Sequence, residues 1–144
     1  LRSQPFEGTE DVIAELGGYP GRVYILVVNG TFSAGVVTAA LALAGGGDKA
    51  VMVGAGMGDD AAFWAEGGGP MVLPNSQLPI YVSTGYHDWE NGCDNLARCF
   101  WPNVLYGVAA GSLEVDMPAP MRFADFKRGV DTGIVAILAA ERAR

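Results

Sequence analysis

An α/β fold built on a parallel strand–helix–strand unit is predicted by three stretches of this chain. Val23-Tyr24-Ile25-Leu26-Val27-Val28 is an apolar, β-branched run that breaks at Asn29-Gly30, as a buried strand does. Val36-Val37-Thr38-Ala39-Ala40-Leu41-Ala42-Leu43-Ala44 is long and Ala-rich enough to be helical. Lys49-Ala50-Val51-Met52-Val53 reads as a second buried strand. A helix between two adjacent buried strands makes them parallel, with a right-handed crossover.

The remaining elements follow from local signals. Residues 1–8 read as irregular, and Thr9 is placed to cap a short helix through Leu16, ended by Gly17-Gly18-Tyr19-Pro20. The central helix should stop at Gly45-Gly46-Gly47. Beyond Gly54 the pattern turns to short strands, expected over 61–66, 70–73 and 78–84, with Gly and Pro between them. Residues 85–102 are polar, aromatic and too long for a plain connection, which marks a functional or packing loop. A short strand is expected at 104–106. Asp131 should cap a C-terminal helix from Thr132 to Ala143, with Ile134, Ile137 and Leu138 on one face and Arg142 and Arg144 at its negative end. No repeat or linker divides the chain, so residues 1–144 are read as one domain.

Composition narrows the function classes. Half of the 144 residues are hydrophobic and only 17% are charged, with a mean hydropathy of +0.23. Such a chain needs a sheet buried on both faces, or surface that another polypeptide covers, whether a partner segment or a second copy. A net charge of −7 without a Lys/Arg cluster disfavours nucleic acid and anionic membranes as partners. No apolar run approaches the roughly 20 residues that span a bilayer. The chain opens at Leu1 without Met, and we read it as a mature or clipped product, whose targeting segment could have been removed.

Cys93 and Cys99 offer either a disulfide or two free thiols. With no third Cys and a single His they lack the ligands of a zinc site, so no metal or cofactor is expected. A short loop closed by a disulfide is common in exported proteins, so the disulfide is favoured and points to the periplasm or the extracellular space.

Candidate chemistry centres on Ser33, at the start of the central helix. Unpaired amides and the positive end of the helix dipole converge there, so its hydroxyl can serve as cap, anion ligand or nucleophile. Gly54-Ala55-Gly56-Met57-Gly58 follows a strand but departs from the dinucleotide spacing, and Asp59-Asp60 would repel a pyrophosphate. Asn29-Gly30-Thr31 satisfies the glycosylation sequon, but its place in the turn that delivers Ser33 favours the turn role. His87, in the run Tyr86-His87-Asp88-Trp89-Glu90, is the single His and a possible base, although a lone His in an aromatic loop is more often structural than catalytic. Adjacent residues of an extended segment point opposite ways, so Asp88 is not assumed to be its partner. Glu66 stands in an apolar strand, where a carboxylate is either structural or functional.

Val23 to Gly35, with Ala50-Val51-Met52-Val53-Gly54, resembles the catalytic core of the tail-specific (carboxy-terminal processing) serine peptidases, a family with a crotonase/Clp-like fold. Phe63-Trp64-Ala65-Glu66-Gly67-Gly68, Leu73-Pro74-Asn75-Ser76, the Tyr-His-Asp-Trp run, Leu113-Glu114-Val115-Asp116, Phe123-Ala124-Asp125-Phe126 and Gly129-Val130-Asp131 are similar to later segments of that family, in order. The resemblance implies that Ser33 is the nucleophile and the amide of Ala34 an oxyanion donor. The stretch after the second strand holds Asp59-Asp60 where some members carry a lysine. The other branch of the family takes a His from upstream and a carboxylate from downstream, a role that Glu90 or Glu66 could fill here. The expectation is therefore the C-terminal half of a peptidase catalytic domain, acting on peptides or unfolded protein once joined by its N-terminal half, and with self-association open to it. A catalytically silent relative that binds a small ligand or peptide is the alternative.

Overall fold

The computed structural model describes residues 18–67, 69–93, 99 and 108–144. The helix expected over 9–16 and the strand expected over 104–106 lie outside them.

The architecture is mixed α/β. Strand β1 (Val23–Val27) leads to helix α1 (Ala34–Gly46), a single 3-10 turn (Gly47–Lys49) and strand β2 (Ala50–Gly54). The two strands pair in parallel, from Val23 opposite Ala50 to Val27 opposite Gly54. Strand β7 (Met117–Pro118) joins the other edge of β2, again parallel, giving the order β1-β2-β7. Strands β3 (Ala62–Gly67) and β6 (Ser83–Asp88) form an antiparallel ribbon, and β4 (Met71–Val72) with β5 (Pro79–Ile80) a small hairpin. Helices α2 (Phe123–Lys127) and α3 (Thr132–Arg142) close the chain.

Helix α1 is apolar around its circumference because it is covered from two sides. Ala39 packs with Val27 and Met52 of the parallel sheet, joined by Ile25 and Leu43. Ala40 packs with Trp89 and Val108, joined by Val37, Leu41, Ala44 and Phe63. Alanine lets both layers approach the helix closely. Leu113 touches both clusters and ties them together.

The unbroken apolar run of β1 has the same cause. Ile25 and Val27 face α1, while Leu26 lies against Gly133 of α3, where an added Cβ would come within 2.5 Å of its Cδ2. Tyr24, on the same side as Leu26, donates its hydroxyl hydrogen to Glu141 near the end of α3. Asp131 caps α3, its Oδ1 accepting from the amide of Ile134 at 3.0 Å. The apolar face read for that helix is not its deepest side: Gly133 is buried, whereas Ile134 and Leu138 are exposed.

Two other expectations change. The strand expected over 78–84 is two strands, β5 and β6, and β6 continues to Asp88, into the stretch read as loop. Cross-strand aromatic pairs override the turn signal at Gly85: Phe63 stands opposite His87 and Trp64 opposite Tyr86. Strand β7 and helix α2 were not foreseen. Cys93 and Cys99 form a disulfide, with Cα atoms 5.9 Å apart. No helix among the described residues is long and apolar enough to cross a membrane.

Candidate functional site at the carboxyl end of the parallel sheet

In open parallel sheets, ligands bind beyond the carboxyl ends of the strands. Here two loops meet at that edge. Residues 28–33 connect β1 to α1, and residues 55–61 leave β2 toward β3. Their backbones are laced together: Ala55 donates to the carbonyl of Val27 at 3.0 Å, and Gly58 to the carbonyl of Thr31 at 2.9 Å. Glycine is required at the closest approach. Gly54 has φ +131, and a Cβ there would stand 2.0 Å from the Val27 carbonyl oxygen.

The β1–α1 turn is itself fixed by the amide of Thr31 on the Val28 carbonyl at 2.7 Å and by the amide of Val28 on Thr31 Oγ1 at 3.1 Å. It delivers Ser33 at the N-cap of α1 with φ 51 and ψ −117. That is a left-handed conformation a side chain rarely adopts, costing on the order of 1–3 kcal/mol and typical of functional sites. Ser33 is exposed, and its hydroxyl makes no capping hydrogen bond among the described residues. Its carbonyl starts the helix by accepting from Val37 at 3.1 Å.

A carboxylate takes the position at the helix N-terminus instead. Asp59 Oδ2 accepts the amide of Ser33 at 2.7 Å, a charge-assisted bond at the positive end of the α1 dipole. Asp59 also lines an open cleft of about 960 Å³. Gly54, Ala55, Asp60, Glu90, Ser112 and Glu114 contribute to its walls. Its carboxylates make the cleft acidic. Glu90 is anchored at its carbonyl, which accepts from Gly111 at 3.1 Å.

The residues singled out in the sequence divide between two places. Ser33, Ala34 and, by way of the cleft, Glu90 belong to the carboxyl edge of the parallel sheet. Glu66 and His87 belong to the β3–β6 ribbon. His87 is buried, its ring stacked on Phe63 with centroids 4.6 Å apart and 6.1 Å from that of Trp89. Among the described residues no group of His, Cys, Asp and Glu is arranged to hold a metal. Asp59 is the residue sequence reasoning passed over as a neighbour of Ser33. Its signal was present in the Gly58-Asp59 step after β2, where glycine lets the backbone come within reach of the turn.

Comparison with protein-family models, with curated proteins and with solved structures gives no match to this chain.

Proposed function

We propose that this chain carries the nucleophile of a serine peptidase similar to the tail-specific type. The observation that carries the proposal is Ser33: an exposed hydroxyl on a strained turn between a buried strand and a helix N-terminus, not engaged as a cap. Strained strand-to-helix turns of this kind present nucleophilic serines in other hydrolases. In the proposed reaction Ser33 Oγ attacks the scissile carbonyl carbon, and the N–H of Ala34 donates to the developing oxyanion. A general base takes the Ser33 proton and returns it to the leaving amine, and water then releases the acyl group.

The base is assigned to a segment docked beside β1, the upstream half of the same catalytic domain. Edge position among the described strands and the exposed Val28 and Phe32 nearby support that docking, since an open strand edge pairs readily with another. His87 is set aside as base because it is packed among aromatic rings. Glu90 is preferred over Glu66 as supporting carboxylate because it shares a cleft with Asp59. The crotonase/Clp-like fold, a peptide or unfolded-protein substrate and export to an oxidising compartment belong to the same reading, the last supported by the disulfide.

One observation favours a second reading, a silent relative that binds a peptide or small ligand: the Asp59 carboxylate places negative charge beside the amides that an oxyanion would need. Reaction with a fluorophosphonate separates the two. A peptidase is modified at Ser33 and the Ser33→Ala variant is not, whereas a binding module is modified at neither.

A further inference from the structure

The strained conformation of Ser33 has to be held by something, since a free turn would relax to negative φ. The helix itself does not hold it: its first bond uses the Ser33 carbonyl, leaving the amide of the same residue to be fixed from outside α1. We propose that Asp59 is the positioning residue of Ser33, clamping its amide so that the hydroxyl is presented outward and the amide of Ala34 is left for an oxyanion. This rests on the reading of Ser33 as a nucleophile and adds a residue to it.

Three features carry the assignment. The contact is short, 2.7 Å, between an ionisable acceptor and a main-chain donor, the geometry of a charge-assisted bond. Asp59 is not on a free loop, because the preceding residue, Gly58, is bound to the carbonyl of Thr31 at 2.9 Å, two residues before Ser33. A side chain at Gly58 would meet the Asn29 carbonyl oxygen at 2.5 Å, so the loop seats flush on the turn only with glycine there. The loop after β2 therefore grips the turn after β1 at two successive residues, Gly58 by its backbone and Asp59 by its side chain. A carboxylate at this position also complements the dipole of α1.

The test uses the chain joined to the upstream half that supplies the base, in three forms: the unaltered protein, Asp59→Asn and Asp59→Ala. Amide NMR reads the clamp independently of activity, through the downfield shift of the Ser33 amide proton and the strong amide–Hα cross-peak that positive φ produces. Fluorophosphonate modification of Ser33 reads its consequence. Asp59→Ala is expected to lose the downfield shift and the positive-φ signature, and to slow modification of Ser33 by about tenfold to a hundredfold. Asp59→Asn, which keeps an acceptor oxygen, is expected to retain the positive-φ signature and most of the reactivity. An Asp59→Ala protein that remains folded with both NMR signatures intact would overturn the proposal. If the unaltered protein shows the signatures and loses them with Asp59→Ala while Ser33 never reacts, the clamp stands and the peptidase reading falls.

Discussion

The carboxylate of Asp116 accepts the backbone amide of Met52 at 2.8 Å, joining residues 64 positions apart. Met52 is fully buried in β2, and the bond falls immediately before β7, whose pairing with β2 begins at Val53 opposite Met117. A side chain thus extends a ladder that the two-residue strand β7 is too short to complete. The segment just before Asp116 supplies Ser112 and Glu114 to the wall of the cleft. Replacing Asp116 with Ala leaves a buried donor without its acceptor and is expected to lower stability by about 1–3 kcal/mol, read as a shift in the urea midpoint. Asp116→Asn, which keeps an acceptor, should lose less.

Stability and reactivity should move in opposite directions at Ser33. With φ 51 at a residue that carries a side chain, Ser33→Gly relieves strain of about 1–3 kcal/mol and gives back about 0.5–1 kcal/mol in chain entropy. The variant is expected to melt at or above the temperature of the unaltered protein while losing all reaction with a fluorophosphonate. Lower stability of the glycine variant would show that the turn is not strained.

At Gly54 the sign is reversed. A Cβ would sit 2.0 Å from the Val27 carbonyl oxygen in a backbone conformation of φ +131. Gly54→Ala must therefore separate β1 from the loop after β2. A loss of about 2–5 kcal/mol, combining overpacking with backbone strain, is expected in denaturant titration.

The tie between β1 and α3 should respond to pH at both ends of the scale. The Tyr24 hydroxyl, donating to Glu141, holds that carboxyl below its ordinary 4.5, and the same bond raises Tyr24 above its ordinary 10.0. A depressed carboxylate contributes stability that is present above 4.5 and lost as pH falls through its folded value. A raised phenol contributes stability that is present below 10.0 and lost as pH rises through its folded value. The difference in urea midpoint between the unaltered protein and Tyr24→Phe should be greatest near neutral pH and shrink toward both extremes.

The disulfide gives a further check. Closing a loop with a sequence separation of 6 restricts the unfolded chain by about 2 kcal/mol, so reduction should lower the unfolding midpoint by a corresponding amount.

The strand–helix–strand unit was legible because each piece carries a strong local signal: β-branched runs for β1 and β2, and an Ala-rich stretch for α1. Asp131 was legible as a cap for the same reason. Strand β7 was not, because Met117-Pro118 has no strand signal of its own and is held by β2 and by Asp116. The extension of β6 past Gly85 depends on aromatic partners in β3 that no local window contains. At the site, the position of Ser33 could be read from the turn, but its strained φ and its bond to Asp59 arise only when two loops distant in sequence are pressed together. The exposed Ile134 and Leu138 illustrate the converse: helical periodicity identifies an apolar face without saying whether anything covers it.

The most direct test of the account is the site of covalent modification. The chain, joined to the upstream half that supplies the base, is incubated with a fluorophosphonate and digested, and the modified residue is located by mass spectrometry. The account predicts a single adduct on Ser33, absent from Ser33→Ala and with Ser3, Ser76, Ser83 and Ser112 unmodified. An unmodified Ser33, or modification spread equally over the other serines, would contradict it.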